Sequence, residues 1–298
     1  MITRPEDTLP FTPVVIIGAG RSGTNALRNS LTQVPGFKTW PCDEINPIWR
    51  HGNLDWPNDE IPPERATLSV RRAIRKAFWR LWRQQGTPDF VVEKTCANAL
   101  RVPFVDAVLP EARYIHIVRN GFDIVASARK RWRGELEMPG LPYYLAKARY
   151  APLPDLPHYA FSAIKNRLAM LLGRQEHFDS WGPRFSGLDT LSNAPLDEIV
   201  ARQWAACVSL SDRAFAEISD EQVFQMRYED FTCDPQNSLA QITQWLETPC
   251  DDDTLKAAVA SVRTSSVGKG QAAAGALPNI IKSVLEPPMR AHGYLNQE

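Results

Sequence analysis

Three glycines follow a short apolar run near the start of the chain and suggest two kinds of chemistry. In "PVVIIGAGRSGTNALRNSL", Gly18, Gly20 and Gly23 spell G-x-G-x-x-G, a pattern typical of dinucleotide binding. Gly18 and Gly23 alone give the G-x-x-x-x-G frame of a phosphate-binding loop. In either case a strand, a glycine turn and a helix place backbone N–H groups around an anion. The stretch therefore predicts an anion site, and its flanking residues must decide which one.

The flanking residues argue against ordinary nucleoside-triphosphate chemistry. Thr24 stands where such a loop needs Lys, and Asn25 stands where it needs a hydroxyl ligand for magnesium. Arg21 places a cation inside the loop itself, so the anion is still matched. A dinucleotide site needs an acidic residue about 20 positions further on. Asp43 and Glu44 lie at that distance, although a proline interrupts the strand that should carry them, so an NAD(P)-dependent oxidoreductase stays an alternative.

A second possible anion site lies in "YIHIVRNGFDIVASARKRW". Arg119 ends an apolar run, Asn120-Gly121 makes a turn, and Ser127 follows on a predicted helix. A guanidinium at a strand end together with a hydroxyl can hold a second phosphate. The alternative is an Arg119 that only bridges to a local carboxylate such as Asp123.

Together these stretches resemble the sulfotransferases that use 3′-phosphoadenosine 5′-phosphosulfate (PAPS). In that family a loop of the type R/K-x-G-T binds the 5′-phosphosulfate and an R-(x)7-S element binds the 3′-phosphate. Their counterparts here are "GRSGTNALRNSL" and "RNGFDIVAS". The similarity continues in "EKTCANALRVPF", "MRYEDFTCDPQNSLAQITQWLE" and "VRTSSVGKGQ", and it spans residues 13–295 with its weakest parts at 41–90 and 134–195. It implies an α/β fold, a parallel sheet flanked by helices, of the P-loop NTPase-like sulfotransferase type.

The resemblance also implies roles for individual residues, with PAPS as the sulfuryl donor, adenosine 3′,5′-bisphosphate as its product, and no metal. Arg21 and Lys94 would stabilise the sulfuryl group in transit and the phosphate that it leaves. The remaining donor-binding residues fall into three sets: Ser22, Gly23, Thr24 and Asn25 at the 5′-phosphate; Arg119, Ser127, Lys269 and Gly270 at the 3′-phosphate; and Tyr228 at the adenine, with core packing as the alternative for Tyr228. A sulfuryl group leaves as a neutral SO3-like species, so fixed cations can replace magnesium.

The base that accepts the acceptor's proton is less defined by the sequence. Cytosolic small-molecule sulfotransferases have a histidine two residues after the lysine, but this chain has Cys96 there. Carbohydrate sulfotransferases more often use a glutamate after the second strand, which favours Glu44. Asp43 and His51 are rivals, and the segment 134–195 offers His158 and His177. His116 lies in the middle of a predicted strand and is interpreted as a core histidine.

Composition narrows the remaining function classes. The chain has 298 residues and zero net charge, which gives no general attraction for nucleic acid. Its five cysteines are scattered without a C-x-x-C pair, so we expect free thiols, no metal site and a reducing compartment. The polar start of the chain and the absence of a long apolar run predict a cytoplasmic protein without a transmembrane segment.

The elements that must position these residues alternate in type. Apolar runs predict strands at 13–18, 90–94, 113–119 and 222–230, with a weaker one at 37–40. Helices are expected at about 23–34, 64–84, 98–109, 121–133, 196–219 and 235–247. We expect one domain over 1–298, in which 41–63 is an irregular segment at the carboxyl edge of the sheet. Residues 134–195 form an insertion that either shapes a substrate cleft or serves only as a packing lid.

A strongly basic stretch lies between the predicted strands at 37–40 and 90–94. The stretch 70–86 carries six basic residues and no acidic one, beside an apolar stripe of helical spacing. Its basic face is either solvated or binds an anionic glycan, a lipid-linked sugar or a membrane surface. A carbohydrate hydroxyl is the favoured acceptor; a small-molecule alcohol, a phenol or a peptide are alternatives. A nucleotide sensor without catalysis is the non-enzyme alternative.

Overall fold

Five parallel strands form one sheet through the middle of the protein, with the order β2-β3-β1-β4-β5. The computed structural model describes residues 7–132, 150, 152–159, 161, 182–263, 267, 268 and 270–295. The strands are β1 (Thr12–Ile17), β2 (Phe37–Thr39), β3 (Phe90–Lys94), β4 (Arg113–Val118) and β5 (Val223–Arg227). The predicted α/β class and all five predicted strands are confirmed.

The described α-helices are labelled in chain order. They are α1 (Thr24–Leu31), α2 (Asn46–Trp49), α3 (Leu68–Gln84), α4 (Val102–Val108), α5 (Gly121–Trp132), α6 (Leu196–Phe215), α7 (Tyr228–Cys233), α8 (Pro235–Trp245), α9 (Asp252–Val259) and α10 (Asn279–Ala291). Short 3₁₀ turns lie at Pro63–Arg65, Cys96–Leu100, Leu153–Asp155, Leu188–Leu191, Asp220–Gln222 and Gln271–Ala276.

Alternating side chains of the strands build two hydrophobic layers, one on each face of the sheet. In β1, Val15 and Ile17 belong to the larger layer, which includes residues of α3, α4, α5, α6 and α10. Val14 and Ile16 belong to the smaller layer, which includes residues of α1, α7, α8 and α9. The central strand β1 is thereby buried on both faces, and the loop that follows it is fixed from both sides.

Several predicted boundaries were wrong for local reasons. The strand predicted at 222–230 ends at Arg227 because Tyr228 begins α7, whose first turn holds Glu229 and Asp230. The helix predicted from residue 64 begins at Leu68, where the Thr67 side chain accepts the Val70 N–H. The helix predicted at 98–109 is a 3₁₀ turn followed by α4.

Three α-helices lie outside every predicted strand and helix, namely α2, α9 and α10. Asp251 caps α9 by accepting the Thr254 N–H, and α10 buries Ile281, Leu285 and Met289 at helical spacing.

The irregular segment 41–63 packs into the larger hydrophobic layer instead of lying loosely on it. Ile45, Ile48 and Trp49 are buried there. The Ile45 N–H donates to the Thr95 hydroxyl just beyond β3, at 3.1 Å, so the segment does lie at the carboxyl edge of the sheet. Most of the predicted insertion 134–195 lies outside the described residues.

A buried ionic network fastens this segment in place. Asp59 lies 3.2 Å from Arg50 and 3.4 Å from the fully buried Arg101. It also accepts the Arg184 backbone N–H at 2.9 Å, which ties residues 182–186 to the same segment. Paired charges of this kind are costly to break, since removing one partner leaves the other buried and unmatched.

Candidate active site

The loop after β1 makes a tight turn at the carboxyl edge of the sheet. Arg21 has a φ of 71° and Gly23 a φ of 86°, and α1 begins at the next residue. A Cβ on Gly23 would lie 2.2 Å from the Tyr228 ring, so only glycine fits there. Glycine is needed at this position because the turn passes directly against Tyr228, the first residue of α7.

The loop also offers a buried polar atom that matches an anion. The Ser22 hydroxyl oxygen is buried and has no hydrogen-bond partner among the described residues. Such an atom normally finds a partner, so its position at the start of α1 fits a bound oxyanion. Thr24 is buried, with its hydroxyl 3.9 Å from the Cys96 sulfur, while Asn25 is exposed.

The ends of β1, β4 and β5 bring four of the predicted donor-binding residues together. Arg21 Nε donates to the Ser127 hydroxyl at 3.1 Å. Arg119 Nη1 donates to the Arg21 carbonyl oxygen at 3.0 Å, and the Arg119 guanidinium stacks 4.5 Å over the Tyr228 ring. Carboxyl ends of parallel strands share one edge, which is where α/β proteins bind ligands.

The turn between β4 and α5 is held from the chain's far end. The Asn120 N–H donates to Glu229 at 3.0 Å. The other oxygen of that carboxylate lies 2.5 Å from the Tyr294 hydroxyl, which is also 3.1 Å from the Val118 carbonyl oxygen. Arg119 is therefore presented by a turn whose backbone is fixed on both sides.

Asp123 lies closer to the site than the sequence indicated. Its Oδ2 is 3.7 Å from Arg119 Nη2, so the local ion pair weighed for Arg119 is present beside its other contacts. Its two oxygens also accept backbone N–H groups from Gly268 and Gly270. Sequence reasoning missed these bonds, because nothing in the spacing of 123 and 270 marks them as neighbours. Lys269 lies outside the described residues.

Lys94, at the end of β3, is surrounded by carboxylates. Its Nζ is 3.0 Å from Glu44 Oε1 and 3.2 Å from Asp43 Oδ1, while Arg28 binds Asp43 at 3.0 Å. Glu44 Oε1 also accepts the Cys96 N–H at 3.3 Å. Two predicted catalytic residues, Glu44 and Lys94, are thus in direct contact.

The charges in this cluster reinforce one another. Burial opposes the ammonium form of Lys94, but the neighbouring acidic groups of Cys96, Glu44 and Asp43 more than offset it and raise the lysine pKa. Burial also opposes the charge on Asp43, yet the cations of Lys94 and Arg28 lower its pKa. Burial raises the pKa of the Cys96 thiol to about 12, so this cysteine stays protonated at neutral pH and is no nucleophile.

A buried acid lies next to the lysine on the same strand. Glu93 accepts hydrogen bonds from Thr95 at 2.5 Å and from Asn98 at 2.9 Å. Burial raises its pKa to about 7, against the lowering effect of the Thr95 bond.

The histidines proposed as rival bases occupy different environments. His51 Nδ1 lies 2.7 Å from the buried carboxylate of Asp155, which joins the segment 41–63 to the predicted insertion. His158 packs edge-on against Tyr159, and His177 lies outside the described residues. His116 is buried, and burial lowers its pKa to about 4, as suits a neutral core histidine.

The basic helix α3 is partly neutralised. Arg75 is buried and binds Glu111 with two hydrogen bonds of 2.9 and 2.6 Å. Arg72 lies 3.3 Å from Asp7. The remaining basic residues of the stretch are exposed, namely Arg71, Lys76, Arg80 and Arg83. The basic face is therefore smaller than the sequence suggested.

The described residues contain no group of three or more His, Cys, Asp or Glu side chains that could hold a metal ion. None of their helices is both long and apolar enough to cross a membrane.

Comparisons with known proteins agree with this geometry. The fold is similar to a sulfotransferase domain from the curacin biosynthetic pathway, with a TM-score of 0.60 and 15% identity over 97% of this chain and 99% of that one. It is also similar to sulfotransferase STF1 from Mycobacterium tuberculosis, with a TM-score of 0.50 and 14% identity over 94% and 78% of the two chains. Residues 13–141 match the model of a sulfotransferase family. No curated protein sequence matches this chain.

The family match covers the part of the chain that holds the β1 loop, Lys94 and the Arg119–Ser127 element. The structural similarity extends over nearly the whole chain and concerns the fold.

Proposed function

We propose that this protein is a sulfotransferase that takes its sulfuryl group from PAPS and transfers it to an acceptor hydroxyl. The observation that carries the proposal is the contact between the two predicted anion sites, in which Arg119 donates to the Arg21 carbonyl oxygen. An arginine from each site at one sheet edge suits one nucleotide with two separate anionic groups.

The loop residues Arg21, Ser22, Gly23, Thr24 and Asn25 would bind the 5′-phosphosulfate. Arg119, Ser127, Lys269 and Gly270 would bind the 3′-phosphate, and Tyr228 would lie at the adenine. Arg21 Nε donates to the Ser127 hydroxyl, which supports the proposal that the two sets face one cleft. The bond from sulfur to the bridging phosphate oxygen breaks while a bond from sulfur to the acceptor oxygen forms. Arg21 and Lys94 would stabilise the charge on the departing phosphate and the transferring group, with no metal required.

The proton of the acceptor hydroxyl would go to Glu44. Its carboxylate is about a quarter exposed and lies 3.0 Å from Lys94, so it is oriented by the same lysine that meets the sulfuryl group. A base within reach of both the acceptor and the transferred group is what general-base catalysis requires.

The competing oxidoreductase hypothesis loses support from the same cluster. It needs Asp43 or Glu44 for a ribose hydroxyl, but both carboxylates are paired with Lys94. A carbohydrate hydroxyl remains the proposed acceptor, and the insertion 134–195 of the single domain would shape its cleft. We further propose that the protein acts in the cytoplasm.

A thermal-shift comparison tests the donor. Adenosine 3′,5′-bisphosphate should raise the Tm more than NAD, NADP or ATP, because only it presents both phosphates to the two cation sites. A chelator should leave that shift unchanged. Equal or greater stabilisation by NAD would refute the proposal, and a strict magnesium requirement would refute the metal-free mechanism.

A further inference from the structure

Asp123 is a buried carboxylate with an unusual pair of partners. Its side chain is 2% exposed. Oδ1 accepts the Gly270 N–H at 2.5 Å and Oδ2 accepts the Gly268 N–H at 2.7 Å. We call these two bonds the Asp123 clamp. Bonds from N–H groups to an ionised carboxylate are stronger than ordinary amide hydrogen bonds.

The clamp holds the two glycines directly against the first turn of α5. A Cβ on Gly270 would lie 2.1 Å from the Phe122 carbonyl oxygen and 2.5 Å from the Asp123 nitrogen, so no other residue fits in this position. Gly268 has a φ of 78°, a conformation that also favours glycine. The close approach and the two bonds thus specify one position for this backbone.

The same carboxylate also faces the proposed 3′-phosphate site. Asp123 Oδ2 lies 3.7 Å from Arg119 Nη2. A fixed negative charge beside an arginine should weaken the binding of a phosphate there, because like charges repel. Asp123 therefore either lowers the affinity of this site for phosphate, or compensates for its repulsion of the phosphate by positioning other groups that bind it.

We propose that Asp123 is a positioning residue that fastens Gly268 and Gly270 beside Arg119 and thereby raises the affinity for a nucleotide 3′-phosphate. The inference rests on the proposed function, since it deepens the assignment of the 3′-phosphate site. The sequence places Lys269 between the two glycines, so the clamp fixes both peptide neighbours of that cation.

Asp123→Asn tests the proposal, because it keeps the shape of the side chain but can accept only one of the two N–H groups and removes the charge. Calorimetric titration should show about tenfold weaker binding of adenosine 3′,5′-bisphosphate, the size of one lost charge-assisted bond. The affinity for adenosine 5′-phosphate should change less than about twofold, since this ligand lacks the 3′-phosphate. A purely electrostatic role gives the opposite sign, with tighter binding of the bisphosphate.

Three further variants make the result specific. Gly270→Ala should produce the same selective loss, and combining it with Asp123→Asn should add little, because both disrupt one unit. Asp55→Asn makes the same chemical change in an exposed ion pair with Arg65 and should leave both affinities unchanged. Hydrogen exchange at the Gly268 and Gly270 amides should become faster in Asp123→Asn and stay unchanged in Asp55→Asn.

The outcomes separate this inference from the function on which it rests. Tighter bisphosphate binding by Asp123→Asn, equal losses for both nucleotides, or unchanged amide exchange would each overturn the role of the clamp. A wild-type protein that does not prefer the bisphosphate, or an Arg119→Ala variant that keeps the preference, would refute the 3′-phosphate site itself. The proposed effect of the clamp on affinity would then be refuted as well. The exchange data would still show whether Asp123 holds the backbone of Gly268 and Gly270 in place.

Discussion

At the scale of single residues, Glu44 and Lys94 depend on each other. The carboxylate lies 3.0 Å from the ammonium and also accepts the Cys96 N–H. Lys94 is almost fully buried, so its charge needs a carboxylate partner whenever no sulfuryl group is present. An incoming donor would take over part of that role, which would leave the carboxylate available for the acceptor's proton.

Glu44→Gln tests this assignment. Glutamine keeps the size and most hydrogen bonds of the side chain but cannot take up a proton. The variant should retain its affinity for adenosine 3′,5′-bisphosphate and lose about 10²–10⁴-fold in kcat, the usual contribution of a general base. Steady-state kinetics with the acceptor and calorimetry with the nucleotide measure the two effects separately.

Two matched variants distinguish Glu44 from its rivals. Asp43→Asn removes the carboxylate that Lys94 shares with Arg28, and His51→Gln removes the imidazole held by Asp155. Near-normal turnover in Glu44→Gln together with an inactive His51→Gln would show that the histidine is the base. Normal turnover in all three would move the base into the segment 134–195.

At the scale of elements, α3 has two separate tasks. Its buried side binds the core through Ile74 and Phe78, and Arg75 joins it to Glu111 at the start of β4. Its exposed side keeps four basic residues, among them Lys76 and Arg80. Only this exposed side is available to an anionic acceptor.

Reversing two of these charges tests that role. Lys76→Glu combined with Arg80→Glu should raise the KM for an anionic glycan acceptor, and more strongly at low salt, because exposed charges are screened over about 10 Å at 0.1 M salt. Lys256→Glu, a reversal on the exposed side of α9, is the matched control and should leave KM unchanged. An unchanged KM for the α3 variant at every ionic strength would reduce its basic face to a solvated surface.

At the scale of the whole molecule, the sheet could be predicted because it depends on local composition. The apolar, β-branched runs at 13–18, 90–94 and 113–119 leave little alternative to buried parallel strands. Parallel strands bring their carboxyl ends together, so Arg21, Arg119 and Lys94, which follow or end three of these strands, lie at one edge of the sheet.

The contacts within that edge could not be predicted in the same way. The Lys94–Glu44 pair joins positions 50 residues apart, and the Asp123–Gly270 bond joins positions 147 apart. Hydrophobic periodicity tells which face of an element is buried but carries no information about polar partners on other elements. The sequence suggested the Asp123–Arg119 pair, but the bonds from Asp123 to Gly268 and Gly270 and the pairing of Asp43 with Lys94 are seen only in the structure.

The buried acid Glu93 makes the stability of the whole protein depend on pH. Its pKa is about 7 in the folded state and about 4.5 when unfolded, so the folded state binds more protons between these values. The contribution of Glu93 to the free energy of unfolding is therefore greatest below about pH 4.5, and this contribution is lost as the pH rises through 7. Relative to wild type, Glu93→Gln should gain about 2–3 kcal/mol of unfolding free energy from pH 5 to pH 8.

Urea unfolding of wild type and Glu93→Gln at pH 5 and pH 8 gives the free energy of unfolding of each protein. Subtracting the two values at each pH removes the contribution of all other titrating groups, because both proteins share them. A difference between wild type and Glu93→Gln that stays constant from pH 5 to pH 8 would show that Glu93 is ionised throughout, with its Thr95 and Asn98 bonds outweighing burial.

The contact of Tyr294 with Val118 and Glu229 has a consequence for how the protein is made. It joins positions 176 residues apart, and it completes the turn that presents Arg119. A ribosome adds about 5–20 residues per second, so β1 and the Arg21 loop emerge many seconds before their last support does. The nascent chain can therefore pair its early strands long before it can bind a nucleotide tightly. Tight ligand binding would act as a late check on synthesis, because it becomes available only to molecules in which Tyr294 has reached Val118 and Glu229.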